Sequence, residues 1–213
     1  PIFLQRSLFY INSIPYFYNY CNFRIIYMAK RITQKKTNCK RIVIYGPEST
    51  GKTTLANDLA NHYKTKWVPE YAREYLQRKW DLFKGKCNLD DLINIALGQI
   101  KMENKMVSKS NKFVFCDTNI LVTKVWSETH FNGYCSKEII NIFKSVSYDY
   151  YFLTNIDVPW VKDDLRDRPD NRNEMFNCFK KHLDINEIQY SVVSGDKKER
   201  LKKAILILDK IFY

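Results

Sequence analysis

The stretch that decides the fold spans residues 46–53 and reads Gly46-Pro47-Glu48-Ser49-Thr50-Gly51-Lys52-Thr53. A glycine-bounded loop that ends in Lys-Thr can wrap a triphosphate, because its backbone N–H groups converge on one phosphate and the following helix adds a positive N-terminus. The pattern requires a strand before it and a helix after it. Residues 41–45 read as a buried strand and residues 54–60 as a helix. A chance glycine turn is the alternative, and these flanks argue against it.

This loop predicts which residues hold the nucleotide. Lys52 is expected to bridge the β- and γ-phosphates, and Thr53 to ligate Mg²⁺ through its hydroxyl. The loop therefore predicts a nucleoside triphosphate and Mg²⁺ as ligands, and the resemblance described below implies that the nucleotide is ATP. The residues expected to contact the nucleotide are Gly46, Glu48, Ser49, Thr50, Gly51, Lys52, Thr53 and Thr54.

Composition limits the classes of protein that fit. The 213 residues can bury one substantial core. The net charge is +12, but residues 1–41 hold eight Lys or Arg and no acid, which leaves +4 for the rest. The charge is therefore weak evidence for nucleic acid, and no nucleic-acid partner is predicted. Six cysteines lie without a C-x-x-C pair or zinc-ligand spacing, as is typical of reduced thiols in a cytoplasmic protein.

The first residues read as a separate segment. Residues 1–29 are rich in Phe, Tyr and Ile, yet polar residues interrupt them before the roughly 18 apolar residues that a membrane span needs. No stable membrane insertion is predicted, and a membrane-touching segment is the alternative. Met28 looks like a natural start. We therefore expect residues 1–37 to be a basic, aromatic-rich leader, disordered or non-native, and residues 38–213 to form one P-loop domain.

The order of elements predicts an α/β fold. Strands alternate with helices, which is typical of a mostly parallel sheet. The expected architecture is the three-layer sandwich of P-loop NTPases, with five strands, helices on both faces and a charged lid loop. The strand candidates are 41–45, 66–69, 113–116, 149–153 and 189–193, and the helix candidates are 52–63, 70–79, 89–109, 119–131, 136–146, 173–186 and 197–211.

Two acids follow predicted strands, where ligands collect in parallel sheets. Asp117 ends the apolar run 113–116 and can hold Mg²⁺, although it can also cap the next helix. Glu70 closes the second strand and can accept the proton of a substrate hydroxyl, or merely start a helix. Arg73 lies one turn later and can reach a phosphate or the substrate, with a surface salt bridge as its alternative. Which of Glu70 and Asp117 is the base stays open.

A charged segment, residues 155–172, follows the fourth strand. Segments of this kind are usually solvated linkers, but long loops in compact domains are also where lids occur. Arg166 and Arg168 can close over the γ-phosphate and stabilise the charge of the transition state. The predicted catalytic residues are therefore Lys52, Glu70, Asp117, Arg166 and Arg168.

Four motifs in order resemble one family. They are the loop at 46–53, Pro-Glu-Tyr-Ala-Arg-Glu-Tyr at 69–75, Cys-Asp-Thr-Asn at 116–119 and Val-Pro-Trp-Val-Lys-Asp-Asp-Leu-Arg at 158–166. Together they resemble the ribosylnicotinamide kinase domain of NadR-type proteins over residues 38–213. The resemblance implies transfer of the ATP γ-phosphoryl group to the 5′-hydroxyl of nicotinamide riboside, which gives nicotinamide mononucleotide for NAD salvage. The His-x-Gly-His motif and the helix-turn-helix of longer NadR-type proteins do not occur in this sequence, so adenylyl transfer and repression are not expected of it.

The substrate implied by the resemblance carries a pyridinium charge, which aromatic faces and carboxylates attract. Aromatic residues lie beside the predicted strand ends, although each alone is more often packing. The residues expected to bind the substrate are Glu70, Tyr71, Arg73, Trp126, Asp157 and Trp160. A kinase for another nucleoside or small alcohol is the first rival, and an ATP-switched binding module is the second. The sequence carries no signature of oligomeric state.

Overall fold

The computed structural model describes residues 32–166 and 170–213. Gln34–Tyr213 form one compact unit. The predicted leader lies outside the described residues except for its last six positions, so its boundary at residue 37 stays a prediction.

Five parallel strands form one sheet in the order β2-β3-β1-β4-β5. Strand β1 lies at the centre of the sheet, between β3 and β4. It ends directly before the glycine-bounded loop. Three strands are buried over nearly their whole length, as expected of a sheet covered on both faces. The strands are β1 Lys40–Tyr45, β2 Lys66–Val68, β3 Phe113–Asp117, β4 Tyr150–Thr154 and β5 Tyr190–Val193.

Helices cover both faces of the sheet. They are α1 Lys52–His62, α2 Tyr71–Phe83, α3 Leu89–Val107, α4 Ile120–His130, α5 Lys137–Ser145, α6 Arg172–Ile185 and α7 Lys197–Phe212. Apolar residues of α1 and α7 pack with one set of alternating strand residues, such as Ile42 and Phe115. Residues of α3, α4 and α6 pack with the other set, such as Val43 and Cys116. The result is the predicted three-layer sandwich.

The predicted elements are confirmed, with one notable difference in length. Helix α2 runs to Phe83 rather than to residue 79. It ends where Lys84 adopts the left-handed conformation (φ 50°) and donates its backbone N–H to the Trp80 carbonyl at 2.8 Å. Asp81 has a low helix propensity, but residues 80–83 contain no glycine or proline that would stop the helix.

Among the described residues, no helix combines the length and the apolar character needed to cross a membrane.

Candidate active site

The phosphate loop leaves β1 and is braced against β4. A Cβ atom on Gly46 would lie 2.7 Å from Oγ1 of Thr154, so the two strand ends approach too closely for a side chain. The Thr50 hydroxyl lies 2.7 Å from the Thr154 hydroxyl and donates to the Pro47 carbonyl at 2.8 Å. Buried hydrogen bonds therefore fix the loop before any ligand binds.

Lys52 arches back over this loop. Its ammonium group donates to the carbonyl of Pro47 at 2.6 Å. Gly51, just before it, has a φ of 78°, a conformation that glycine adopts without strain. The charge of Lys52 therefore lies over the residues whose N–H groups are expected to hold phosphate.

The start of α1 and the end of β3 meet at one hydrogen bond. The hydroxyl of Thr53 donates to Oδ2 of Asp117 at 2.5 Å. Oδ1 of Asp117 is buried and has no hydrogen-bond partner within the described part of the chain. Burial, and then the negative charge of Glu70, raise the pKa of Asp117 from 3.8 to about 6, although Lys52 and Thr53 oppose the shift.

This pair fits a divalent cation. A hydroxyl and an unsatisfied carboxylate oxygen are hard ligands of the kind that Mg²⁺ prefers. Residues 32–166 and 170–213 contain no group of three or more His, Cys, Asp or Glu that could hold a metal by itself. A cation at Thr53 and Asp117 would therefore take its other ligands from a bound nucleotide and water.

Glu70 and Arg73 stand beside this pair. Glu70 immediately precedes α2, and Arg73 lies in its first turn, with 3.9 Å between Nε of Arg73 and Oε2 of Glu70. Both side chains line a groove that also contains Thr53 and Asp117. Glu70, which follows β2, and Asp117, which ends β3, therefore lie in one groove at the carboxyl ends of the strands.

A pocket opens from the phosphate loop between α2, α4 and the charged loop after β4. Glu70, Arg73, Trp126, Trp160 and Arg166 line it, together with all of residues 46–54. The aliphatic side chains of Leu76, Leu92, Ile95 and Val122 complete its walls. The pocket therefore combines charged groups at the loop with an apolar and aromatic interior.

Trp126 forms part of a two-ring stack in this pocket. Its indole stacks on the imidazole of His130, with 3.8 Å between the ring centroids and 11° between the planes. His130 is one turn further along α4 and also lines the pocket. Because one face of the indole is covered, only its other face can receive a ligand ring.

Described residues of the charged loop, the segment 155–172 after β4, also line this pocket. Arg166 donates from Nη1 to the carbonyl of Val161 at 2.5 Å and pairs with Asp163, with 3.2 Å between Nε and Oδ2. Trp160 and Arg166 both line the pocket. Arg168 lies outside the described residues, so its predicted role stays a prediction.

Two of the residues predicted to contact the substrate, Tyr71 and Asp157, do not line this pocket. Tyr71 turns its ring onto α3, where a Cβ on Gly98 would lie 2.0 Å from the Tyr71 Cε1 atom, and the ring does not line the pocket. Asp157 pairs with Arg200 and accepts a hydrogen bond from the backbone N–H of Gly195 at 2.6 Å. Both side chains are engaged by neighbouring elements, so neither faces the pocket.

A family model described as an AAA domain matches residues 41–200 of the chain. The chain belongs to this AAA domain family. It is 29% identical over 153 residues to the trifunctional NAD biosynthesis/regulator protein NadR of Escherichia coli (strain K12), an alignment that covers 71% of this chain and 37% of that protein. The protein of the same name from Salmonella typhimurium (strain LT2) is 30% identical over 127 residues, or 60% of this chain and 31% of its own length. The chain thus spans about a third of the curated relatives it matches.

Solved structures share the fold of this AAA domain. A NadR protein in complex with NR superposes with a TM-score of 0.64 and 22% identity, over 81% of this chain and 50% of that one. A NadR protein with NAD and AMP-PNP gives a TM-score of 0.65 at 22% identity, over 81% and 49%. Thymidylate kinase from Candida albicans gives 0.57 at 16% identity, over 83% and 93%. The predicted P-loop fold and the resemblance to NadR-type proteins are confirmed.

The AAA domain also contains a site residue that the sequence did not single out. Arg172, the first residue of α6, donates to the Val158 carbonyl at 2.8 Å and to the Ser49 carbonyl at 3.3 Å. Its guanidinium lies 5.9 Å from the centre of the Trp160 ring. Arg172 therefore joins the charged loop to the phosphate loop. Arg172 ends the charged segment, which is the one feature of the sequence that points to it. The prediction favours Arg166 and Arg168 instead, because they lie closer to β4 in the chain.

Proposed function

We propose that this chain is an ATP-dependent kinase that phosphorylates the 5′-hydroxyl of nicotinamide riboside and gives nicotinamide mononucleotide for NAD salvage. One observation carries the proposal: the phosphate loop shares one pocket with the carboxylate of Glu70 and the indoles of Trp126 and Trp160. A triphosphate on the loop would thus present its γ-phosphorus to an alcohol held in that pocket. The NadR protein solved in complex with NR supports this substrate.

The nucleotide would lie across the loop with its base in a second groove. Leu55, Pro159, Val161 and Lys197 line this groove on the other side of Ser49 and Gly51. Its apolar residues suit a purine, and Lys197 pairs with Asp58 in the same groove at 3.2 Å. The NadR protein solved with AMP-PNP supports ATP as the donor.

Thr53 and Asp117 would hold Mg²⁺ through the hydroxyl and the unpartnered Oδ1 atom. The ion, when bound, neutralises charge on the β- and γ-phosphates. The nearby ammonium group of Lys52 would turn from the Pro47 carbonyl to the phosphate oxygens, because a charged acceptor binds it more strongly than a carbonyl does.

Glu70 is the base in this proposal. Asp117 is committed to Thr53 and the cation, whereas Glu70 faces the pocket from the start of α2. As the 5′-oxygen attacks the γ-phosphorus, its proton would pass to the carboxylate of Glu70, and the bond to the β-phosphate oxygen would break to release ADP. Arg166 would stabilise the charge on the transferring group, while the charged loop excludes water.

The nicotinamide ring would lie against the open face of Trp126, in a pocket that Trp160 also lines. A pyridinium is a cation, and indole faces attract cations. A neutral nucleoside gains less from such walls, which favours nicotinamide riboside over the common nucleosides.

A coupled assay of ADP release with a panel of nucleosides tests the proposal. Nicotinamide riboside should give the highest kcat/KM, and Lys52→Ala and Asp117→Ala should each lower it by about 100-fold or more. The matched controls are Lys202→Ala and Asp209→Asn, which alter exposed residues of α7. Faster turnover of another nucleoside would replace the substrate, and ADP release that no nucleoside accelerates would indicate a nucleotide-switched module instead.

A further inference from the structure

A buried arginine of α7, Arg200, supports the phosphate loop from outside the substrate pocket. Its exposed fraction is 4%, and it borders the groove beside Gly51 rather than the pocket of Glu70 and Trp126. We propose that Arg200 is a positioning residue that sets the orientation of the phosphate loop for binding a triphosphate. The inference rests on the proposed function in one respect, that the loop binds a nucleoside triphosphate.

The guanidinium reaches three different loops. Nη1 donates to the carbonyl of Thr50 at 2.5 Å, Nε to the carbonyl of Gly195 at 2.9 Å, and Nη2 to the carbonyl of Asn155 at 3.1 Å. These carbonyls belong to the phosphate loop, the loop after β5 and the loop after β4. Arg200 therefore links the carboxyl ends of β1, β4 and β5 at one point.

The contact with Thr50 determines where one phosphate donor points. The carbonyl of Thr50 and the N–H of Gly51 belong to one planar peptide, in which the two groups point in opposite directions. A hydrogen bond from Arg200 to the carbonyl thus directs the N–H of Gly51 away from α7, towards the concave side of the loop. N–H groups on that side bind phosphate in loops of this kind. Loss of the contact would free this peptide to rotate about a glycine that tolerates many conformations.

The geometry suits arginine and does not suit lysine. A planar guanidinium has donors fixed in several directions, whereas an ammonium on a flexible stem cannot serve three separate carbonyls from one buried position. The charge itself is balanced by the carboxylate of Asp157, which pairs with Nη2. A buried arginine without this partner would be costly. The pairing explains why Asp157 lies at this point rather than in the substrate pocket.

Binding of Mg-ATP, measured by titration calorimetry, tests the inference without any acceptor substrate. Arg200→Met and Arg200→Lys should each weaken binding by about 10-fold or more, because the loop loses its fixed orientation. Asp157→Asn should weaken it by less than either, since the three carbonyl contacts of Arg200 remain. Lys203→Met, an exposed change on the same helix, should bind as the wild type does.

Thermal unfolding without nucleotide separates positioning from simple support of the fold. If Arg200→Lys is folded at the titration temperature and binds Mg-ATP within about twofold of the wild type, the inference is overturned, whatever its unfolding temperature. Should Arg200→Met fail to fold, the comparison of Arg200→Lys with Asp157→Asn decides the matter alone. A wild-type chain that binds no Mg-ATP would overturn the proposed function together with this inference, whereas tight binding by all variants would overturn this inference only.

Discussion

Arg73 donates a 2.8 Å hydrogen bond to Asp163, and this ion pair joins the first turn of α2 to the charged loop after β4. Asp163 also accepts the backbone N–H groups of Leu165 and Arg166, each at 3.0 Å. Burial acts to raise the pKa of Asp163, but the N–H group of Leu165 and the charges of Arg73 and Arg166 outweigh it, so the pKa is lowered and the carboxylate stays ionised. The side chains are partly exposed, so the pair adds little stability. The pair therefore acts by position, because it holds the charged loop against the helix turn that directly follows Glu70.

Loss of the loop arginine should affect turnover more than binding. Replacement of Arg166 by Ala should lower kcat by about 1,000-fold with a smaller change in KM for ATP, because its charge matters most in the transition state. Single-turnover kinetics give the chemical step directly. The matched control is Arg78→Ala, which removes an exposed arginine paired with Glu74 on α2. A kcat for Arg166→Ala near that of the control would remove Arg166 from the mechanism.

The indole of Trp126 should select the charged ring. Trp126→Ala should raise KM for nicotinamide riboside by about 3- to 30-fold, the range expected when a cation–π contact is lost. Trp126→Phe should retain part of the affinity, and kcat should change less than KM. Steady-state kinetics measure these changes. The control is Trp80→Ala, which removes an indole next to Lys84 at the end of α2. Equal KM values for the alanine variant and the wild type would place the ring elsewhere.

The fold could be predicted because its signals are local. The apolar run before Gly46, the alternation of strands with helices and the acids at strand ends are all patterns within a few residues. They are sufficient to predict the sheet, the three layers and the meeting of Thr53 with Asp117 at one edge.

The site was predicted less well where partners lie far apart in sequence. Asp157 and Arg200 pair across two elements, so spacing alone did not connect them. Arg200 did carry one usable signal, since it lies four and eight residues before Ala204 and Leu208, on the face that α7 buries. The direction of the Tyr71 ring depends on a glycine in another helix, Gly98, and no pattern around residue 71 indicates it.

That glycine should tolerate no side chain. Gly98→Ala would place a Cβ 2.0 Å from the ring of Tyr71, so we expect the free energy of unfolding to fall by about 1–3 kcal/mol. KM for the nucleoside should rise as well, because Tyr71 follows Glu70 directly. Chemical denaturation and steady-state kinetics measure the two effects. Gly85→Ala is the control, as its Cβ would meet only the flexible end of Lys79 at 3.0 Å. Unchanged stability in Gly98→Ala would contradict the packing described for Tyr71.

A buried glutamate of α3 should make stability depend on pH. Burial raises the pKa of Glu103 from 4.5 to about 7, although the hydroxyl of Tyr148 and the charge of Arg41 favour the ionised form. The folded chain therefore holds a proton between pH 4.5 and 7 that the unfolded chain releases, so the free energy of unfolding falls as the pH rises through this window.

Glu103→Gln removes this titration. Relative to the wild type, the variant should gain up to about 3 kcal/mol of stability between pH 4.5 and pH 8. Urea denaturation at several pH values measures the difference, and Glu138→Gln, an exposed change on α5, controls for loss of a negative charge. A stability difference between Glu103→Gln and the wild type that stays constant with pH would show that Glu103 does not titrate in this range.

The most direct measurement of the central claim is the product itself. The chain is incubated with Mg-ATP and nicotinamide riboside, quenched, and examined by mass spectrometry, with Asp117→Asn treated in parallel. A kinase built on Thr53, Asp117 and Glu70 should yield nicotinamide mononucleotide and ADP in equal amounts, and the variant should yield far less of both. ADP without the mononucleotide, or nicotinamide riboside recovered intact beside unreacted ATP, would contradict the assignment.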